Sequence, residues 1–405
     1  MTQDIATSLI HHPYLPPADF DAPQPGIFKA STVFFPSVAA LEAREWRDKS
    51  GYTYGLHGTP TTFILEERLA TLEGGLQCLL VPSGLAAIAC ASFALLKTGD
   101  EVLLPDNVYG PSKALADAEL AAMGITCKLY DAMDPASLQA ALSARTALVW
   151  LEAAGSVTME FPDLPTLAGI CREHGAISAL DNTWGAGLAF NPFALGGQGG
   201  QGVGVDLSIH ALTKYPSGGG DVLMGSIVTR DEKLHMRLKM CHMRLGFGVA
   251  ANDAELVLRA LPSISLRYAA QDAAARILAR WLSERNEVSR VLHPALAGSP
   301  GHENWLSLCG GRDRAAGIFS ILLDARYSRS DVHAFCDALR LFRIGYSWGG
   351  PVSLVVPYDI STMRDASVSH WPHKGHLVRL CIGLEAVEDL RLDLVDALAT
   401  LPPAR

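Results

Sequence analysis

Short apolar segments alternate with helical segments from Gln77 to about residue 230 of this 405-residue chain. The predicted strands are 77–81, 101–105, 125–131, 146–152, 176–180, 205–212 and 222–229, and most of them lead through a short turn into a helical pattern. Such alternation is typical of a mostly parallel sheet with helices on both faces. The sequence therefore predicts an α/β fold with one large sheet.

The sequence on either side of this region has a different character. Residues 1–61 contain seven prolines and little periodicity, which predicts an extended N-terminal arm. From about residue 250 a long helical pattern begins, with an expected break at Pro262, and it leads to predicted strands at 317–325 and 375–384 around a helix at 331–341. We therefore predict an arm at 1–61, a large α/β domain at 62–257 and a smaller C-terminal α/β domain at 258–405.

Two of the predicted strands lead directly to chemically reactive side chains. Asp181 follows strand 176–180, and Thr213 and Lys214 follow strand 205–212. Because strand ends in an open α/β sheet face the ligand crevice, an acid and an amine could meet there. Pyridoxal phosphate needs such a pair, since a lysine binds it covalently and an acid keeps its pyridine nitrogen protonated. The alternative, two solvated side chains at two strand ends, stays open on these segments alone.

The turn after the first strand of this region is rich in small residues. Pro82, Ser83, Gly84 and Leu85 separate strand 77–81 from an alanine-rich helix. Free N–H groups and the helix dipole make such a helix start suitable for an anion. An ordinary strand-to-helix turn with a glycine would look similar. The turn is not a dinucleotide motif, because G-x-G-x-x-G is absent.

Charge and cysteine content exclude several classes of function. The formal net charge is −9 and no basic tract stands out, so we expect neither nucleic acid nor membrane as a partner. The eight cysteines are scattered without a C-x-x-C pair, which suits reduced thiols and gives no reason to expect a metal. Neither a signal peptide nor a membrane span is recognisable, so we expect a cytoplasmic protein.

Eight sequence blocks in order resemble the cysteine/methionine-metabolism family of pyridoxal-phosphate enzymes, also called the trans-sulfuration family. The resemblance runs from about residue 52 to residue 394. The blocks are YTYGLHGTPTT, LEGG, DNVYGPS, DNTWGAG, TKYPSGGGD, HPALAGSPGHENW, YSWGG and VRLCIGLE. The resemblance implies the fold of PLP-dependent transferases (fold type I), pyridoxal 5'-phosphate as cofactor, a small amino-acid substrate, and a homotetramer built from dimers that share active sites.

The resemblance also implies catalytic roles for individual residues. Lys214 corresponds to the lysine that forms the Schiff base and acts as general base, and Asp181 to the partner of the pyridine nitrogen. Tyr109 would stack on the cofactor ring and take part in catalysis, although it could also be an ordinary core residue. Tyr54 would reach the active site of the neighbouring subunit from the arm, where it would contact the cofactor and take part in catalysis.

Further positions would hold the cofactor phosphate and the substrate. Ser83, Gly84 and Leu85 would bind the phosphate at the helix start, and Thr213 would add a hydroxyl. Arg379 would clamp the substrate α-carboxylate with its two-pronged guanidinium group. An ordinary ion pair within a strand is the alternative for Arg379.

The segment Tyr346, Ser347 and Trp348 would contact the substrate and separates the branches of the family. It favours the β-lyases over the γ-synthases and γ-lyases, although Trp348 could simply pack between domains. The expected reaction is β-elimination of L-cystathionine to homocysteine, pyruvate and ammonia, as in methionine biosynthesis. Alternatives are a related carbon–sulfur lyase, a cysteine desulfhydrase, a γ-class enzyme, or a binding or regulatory protein on the same scaffold.

Some positions depart from the family pattern. Leu56 stands where many members have an arginine that reaches the phosphate of the neighbouring subunit. Gly219 and Gly220 replace a His-Ser pair. These departures bear on cofactor affinity and substrate preference more than on the fold.

Overall fold

The computed structural model describes residues 4–16, 18–19, 22–196, 203–369 and 371–403. The glycine-rich stretch at 196–204 predicts a flexible or tightly turning loop. It lies largely outside the described residues. Each of the eight cysteines lies within them as a free thiol. Among the described helices, none combines the length and the apolar character that crossing a membrane requires.

The N-terminal segment is more structured than an extended arm. It contains two short helices, α1 (Ile5–Ile10) and α2 (Val38–Glu42), each capped by a side chain. Leu9 is buried in the main core, and α1 packs against the helix that follows the arm. The segment predicted as an extended arm thus contains two short helices, and its contribution to a neighbouring subunit stays a prediction. Ile5 and Leu9, about one helical turn apart, dock α1 on this core, and two apolar positions are too few to give a recognisable period.

The larger sheet has seven strands within the described residues, in the order β1-β7-β6-β5-β4-β2-β3. The strands are β1 (Gln77–Val81), β2 (Glu101–Pro105), β3 (Thr126–Tyr130), β4 (Thr146–Glu152), β5 (Ile177–Asp181), β6 (Leu207–Ala211) and β7 (Gly225–Thr229). Only β7 runs antiparallel to its neighbours. The carboxyl ends of the other six strands therefore share one edge, where a doubly wound sheet binds its ligands.

Helices cover both faces of this sheet. They are α3 (Pro60–Glu73), α4 (Gly84–Leu95), α5 (Gly110–Leu115), α6 (Pro135–Ala141), α7 (Leu164–His174) and α8 (Glu232–Leu245). Alternate strand residues pack on α4 and α8 on one face and on α3, α6 and α7 on the other. Burial on both faces explains why the strands are apolar throughout, as is typical of parallel sheets.

A smaller sheet of five strands in the described residues has the order β10-β11-β12-β9-β8. Its elements are α9 (Ala251–Ala260), α10 (Ile264–Ser283), β8 (Val288–Leu292), α11 (His302–Cys309), β9 (Ile318–Leu323), α12 (Arg329–Ala338), β10 (Arg343–Ile344), β11 (Leu354–Tyr358), β12 (Leu377–Cys381) and α13 (Val387–Leu398). Helices α10, α12 and α13 pack on this sheet in a second core.

The α/β class, the mostly parallel large sheet and the smaller C-terminal layer are confirmed. The break at Pro262 is confirmed as well, because a short 3-10 turn at Leu261–Ser263 separates α9 from α10. The sequence predicts a helix start near Thr62 after the arm. Helix α3 begins two residues earlier, at Pro60, since Thr59 caps it and Pro60 occupies its first turn. The domain boundaries at 61/62 and 257/258 stay predictions.

Candidate active site

A cavity of about 600 Å³ opens where the carboxyl edge of the larger sheet meets the smaller sheet. Its wall includes the start of α4, the ends of β4 and β5, the turn after β6 and the loop after β10. A space of this size is typical of small-molecule sites. The predicted site residues found in this wall are Ser83, Gly84, Leu85, Tyr109, Asp181, Thr213, Lys214, Tyr346, Ser347, Trp348 and Arg379.

Lys214 lies in the turn after β6, with its amine inside the cavity. Its Nζ donates a hydrogen bond to Ser347 Oγ at 2.8 Å and lies 5.6 Å from the centroid of the Trp348 ring. Burial, and after it the charge of Arg379, lowers the pKa of Lys214 to about 8. A sizeable fraction of this amine is therefore neutral near physiological pH, which suits a nucleophile or a general base.

Asp181 is the last residue of β5 and accepts a hydrogen bond from the Thr183 backbone N–H at 3.0 Å. Burial raises the pKa of Asp181, while the Thr183 hydrogen bonds and the charge of Lys214 oppose that effect. When a buried carboxylate has few hydrogen-bond or charge partners, a cationic ligand strongly stabilises its ionised form. A protonated pyridine nitrogen would be such a ligand.

The start of α4 forms a cradle for an anion. Ser83 caps the helix by accepting the Ala86 N–H at 3.0 Å, so the N–H groups of Gly84 and Leu85 have no acceptor within the helix. A Cβ atom on Gly84 would come within 2.6 Å of the Ala211 Cβ, so the glycine permits the close approach of helix and strand. With Lys214 and Asp181 in the same cavity, these donors fit the phosphate of pyridoxal phosphate.

Thr213 and Tyr109 also lie where the sequence predicts them. The Thr213 hydroxyl is 3.5 Å from the Met224 carbonyl oxygen, a weak contact that leaves it available to a ligand. Tyr109 precedes α5 and is 42% exposed at the cavity mouth. Partial burial, and after it the charge of Asp181, raises the pKa of the Tyr109 hydroxyl, so it stays protonated at neutral pH. The alternative of an ordinary core residue does not fit this exposure.

Arg379 points from β12 into the cavity. Only 8% of this residue is exposed, and its Nε is a buried donor without a partner in the described structure. Its guanidinium group lies over the Tyr358 ring at 5.4 Å, and its Nη2 is 3.5 Å from the Ser347 carbonyl oxygen. Arg379 forms no ion pair among the described residues, so a substrate carboxylate could supply the missing acceptors.

The segment Tyr346–Trp348 closes one side of the cavity. Ser347 has a φ of 105°, which is unusual for a residue other than glycine, and contacts both Lys214 and Arg379. Trp348 packs edge-on against Tyr215 at 5.5 Å and also faces the Lys214 amine. Trp348 thus both packs against Tyr215 and lines the site.

Tyr54 is the one predicted site residue that lies outside this cavity. It is 45% exposed, and within its own chain its ring contacts His57 at 5.9 Å. Leu56 lines a separate small pocket between the arm and α8. The position of Tyr54 leaves its ring free to contact a second copy of the chain, and its role in a neighbouring site stays a prediction.

The cavity wall also contains residues that the sequence analysis missed. Among them are Glu152, Trp184, Tyr358 and Met363. Glu152 could have been found, because the strand predicted at 146–152 ends on a carboxylate just as 176–180 leads to Asp181. The sequence gives no such signal for Met363, which comes from a long loop of the smaller layer.

Comparison with known proteins agrees with the geometry of the cavity. Residues 6–399 match the family model described as Cys/Met metabolism PLP-dependent enzyme. The chain is 40% identical over 373 residues to a putative cystathionine beta-lyase of Rhizobium johnstonii. The aligned region covers 91% of this chain and 89% of the relative. It is 38% identical to the cystathionine beta-lyase of Bordetella avium, with 91% and 90% of the two chains covered.

A solved structure gives the same result at the level of the fold. The structure of a cystathionine gamma synthase from Xanthomonas oryzae pv. oryzae, in complex with aminoacrylate and cysteine, aligns with a TM-score of 0.87 and 29% identity over 99% of both chains. Proteins similar to this chain therefore carry the names of two different enzymes, cystathionine beta-lyase and cystathionine gamma synthase. The chain belongs to the Cys/Met metabolism PLP-dependent enzyme family, and its cofactor is pyridoxal phosphate.

Proposed function

We propose that this enzyme is a carbon–sulfur lyase that cleaves the Cβ–S bond of L-cystathionine, giving homocysteine, pyruvate and ammonia, a step suited to methionine biosynthesis. The main support is that Lys214, Asp181 and Arg379 line one cavity together with the Tyr346–Trp348 segment. The names of the Rhizobium and Bordetella relatives agree with this reaction. The γ-synthase structure makes the choice between β- and γ-chemistry the point to be tested.

Several residues of this chain would hold the cofactor. Ser83, Gly84, Leu85 and Thr213 would contact its phosphate, Tyr109 its ring face and Asp181 its pyridine nitrogen. When bound, pyridoxal phosphate supplies an electron sink for the charge that develops at the substrate Cα. Asp181 strengthens that sink by carrying the compensating negative charge.

Arg379 would fix the substrate by its α-carboxylate. Its buried Nε lacks a partner, and its position over the Tyr358 ring restricts the plane of the guanidinium group. A carboxylate bound in this fixed plane also orients the Cα–H bond of the substrate. Arg379 therefore supplies both affinity and orientation.

Lys214 would move the protons of the reaction. Its amine, with a pKa of about 8, accepts the proton from Cα, and the electron pair left there expels the sulfur from Cβ. Lys214 can then protonate the departing homocysteine thiolate, and Ser347 keeps the amine directed into the cavity. Water converts the remaining three-carbon product to pyruvate and ammonia.

The test is to incubate the purified holoenzyme with L-cystathionine and to follow pyruvate and free thiol, with Lys214→Ala as control. We expect pyruvate and homocysteine in equal amounts from the native enzyme, and loss of turnover in the variant. Formation of 2-oxobutyrate and cysteine would assign a γ-lyase instead. No reaction with cystathionine, but pyruvate from cysteine, would assign a desulfhydrase on the same scaffold. Retained activity in Lys214→Ala would contradict the role of this residue.

We also propose that the enzyme is a homotetramer of dimers that share active sites, with the 1–61 arm carrying Tyr54 into the neighbouring site. The exposure of Tyr54 outside its own cavity supports this arrangement. The division into domains at 62–257 and 258–405 belongs to the same proposal, since the cavity lies where the two layers meet.

A further inference from the structure

Glu152, the last residue of β4, lies beside Asp181, the last residue of β5. The two residues are register partners in the parallel β4–β5 pair, and both line the cavity. Side chains of register partners point to the same face of a sheet. A second carboxyl group therefore lies next to the acid that we assign to the pyridine nitrogen of the cofactor.

The hydrogen bonds of Glu152 all come from neutral donors. One carboxyl oxygen accepts the Tyr109 backbone N–H at 2.8 Å, and the other accepts the Ser156 hydroxyl at 2.6 Å. Within the part of the chain that the structure describes, Glu152 forms no ion pair. A protonated carboxyl can still accept both hydrogen bonds, so nothing in its contacts requires that Glu152 be ionised.

The surroundings of Asp181 favour the charged form more strongly. Lys214 is a cationic neighbour of Asp181, and Thr183 donates to its carboxylate. Burial, and after it the charge of Asp181, raises the pKa of Glu152 to about 8. Two adjacent buried carboxyl groups do not readily ionise together. We therefore expect the pair to carry one negative charge at neutral pH, located on Asp181 because Thr183 and Lys214 lie beside it and Glu152 has only neutral donors.

We propose that Glu152 is a positioning residue: its protonated carboxyl confines the negative charge of the pair to Asp181, and its oxygen fixes the backbone of Tyr109 at the cavity mouth. This inference rests on the proposed cofactor contacts of Asp181 and Tyr109. Glutamine could perform both tasks, because it is uncharged and keeps an acceptor oxygen. Alanine could perform neither.

Titratable groups on other elements interact with this carboxyl or line the same cavity. Asp181, Tyr109 and Tyr130 interact with Glu152 through their charges. Lys214 and Arg379 line the same cavity. Because these groups titrate as well, the test compares variants at Glu152 rather than one pH profile. Only a signal that disappears in Glu152→Gln is assigned to this carboxyl.

The first measurement is infrared spectroscopy of the holoenzyme in the C=O stretching region of protonated carboxyl groups. We expect a band at neutral pH that disappears above a pH of about 8 and is missing in Glu152→Gln. The same substitution at the exposed Glu119, Glu119→Gln, should leave the band unchanged. A band that persists in Glu152→Gln, or an ionised Glu152 at neutral pH, would overturn the proposal.

The second measurement is the dissociation constant of pyridoxal phosphate, followed by the quenching of tryptophan fluorescence in the apoprotein. We expect Glu152→Gln to bind within about twofold of the native protein and Glu152→Ala to bind roughly tenfold more weakly, because the Tyr109 N–H loses its acceptor. Equal losses in both variants would contradict the proposal.

If Glu152→Ala fails to fold, the glutamine variant decides the outcome with the two readouts above. Neither readout uses cystathionine. A wrong substrate assignment would therefore leave both results unchanged, whereas a wrong role for Glu152 would alter them whatever the substrate is.

Discussion

At the scale of single residues, the site depends on buried groups whose ordinary protonation is shifted by their neighbours. Lys214 is the clearest case, because burial and the charge of Arg379 together make its amine easier to deprotonate. The neutral amine is the form that can bind the cofactor covalently or remove a proton. In our proposal, Arg379 therefore both binds the substrate carboxylate and lowers the pKa of the Lys214 amine.

Replacing Arg379 by alanine should affect both tasks. We expect kcat/KM for L-cystathionine to fall by at least about 30-fold, because a buried charge-assisted contact is lost. The pKa of Lys214 should rise above its present value of about 8, since a neighbouring cation is removed. The pH dependence of cofactor uptake by the apoprotein, recorded by absorbance, measures that shift. An unchanged pH midpoint would show that Arg379 does not influence the amine.

Glu152 should also change how stability depends on pH. Its pKa in the folded protein, about 8, lies above the ordinary value of 4.5, so between these values the folded state binds more protons than the unfolded state. This group therefore stabilises the fold below pH 4.5, and its contribution is lost as pH rises towards about 8, with a slope of up to about 1 kcal/mol per pH unit.

In Glu152→Gln this part of the slope should vanish. Urea unfolding of the two apoproteins across the interval between 4.5 and about 8 tests the prediction. A difference in unfolding free energy between variant and native protein that stays constant with pH would contradict it.

At the scale of secondary-structure elements, one buried carboxylate connects the strands that lead to the acid and the amine. Glu73, at the end of α3, accepts hydrogen bonds from Asn182 at 2.8 Å, Ser208 at 2.8 Å and His210 at 3.0 Å. Asn182 follows Asp181 directly, and the other two residues lie on β6 before Lys214. Glu73 therefore fixes the relative position of the ends of β5 and β6 from the face of the sheet that α3 covers.

Replacing Glu73 by alanine should leave these three buried groups without an acceptor. We expect a loss of about 2–4 kcal/mol in the free energy of unfolding and weaker cofactor binding. The matched control is Glu67→Ala, at an exposed position of the same helix, which should change the unfolding free energy by less than about 0.5 kcal/mol. Equal effects of the two substitutions in urea unfolding would show that the network does not support the strands.

The elements that the sequence predicts well are those with a strong local signal. Continuous apolar strands and Pro262 are of this kind, and both were located within a few residues. Strand β11 was missed because Pro357 lies inside it, and β10 because it contains only two residues.

At the site, the side chains at the strand ends indicate Asp181 and Lys214. The contacts of Glu152 with Tyr109 and of Ser347 with Lys214 depend on how distant segments pack, and no local pattern encodes them.

At the scale of the whole molecule, the cavity depends on both sheets and, in our proposal, on a second copy of the chain. The larger sheet supplies the amine and the acid, and the smaller sheet supplies Arg379 through β12. Tyr54 lies outside the cavity of its own chain. A shared site predicts that two inactive variants can complement each other.

Proteins carrying Tyr54→Ala and Lys214→Ala should each be strongly impaired. After equal amounts are mixed, dissociated and reassociated, mixed dimers would contain one site with both native residues. We expect roughly a quarter of the sites to recover activity, as random pairing across a two-fold interface requires. Absence of recovery, with reassociation verified by sedimentation, would place Tyr54 outside the neighbouring site.

In our proposal, the enzyme cleaves the Cβ–S bond of the three-carbon half of L-cystathionine. The most direct measurement uses L-cystathionine with isotopically labelled carbon in that half only, and follows the label by NMR during turnover. We expect the label in pyruvate, with unlabelled homocysteine as the other product. Label in cysteine, together with unlabelled 2-oxobutyrate, would contradict this proposal, because it would show cleavage of the Cγ–S bond in the four-carbon half.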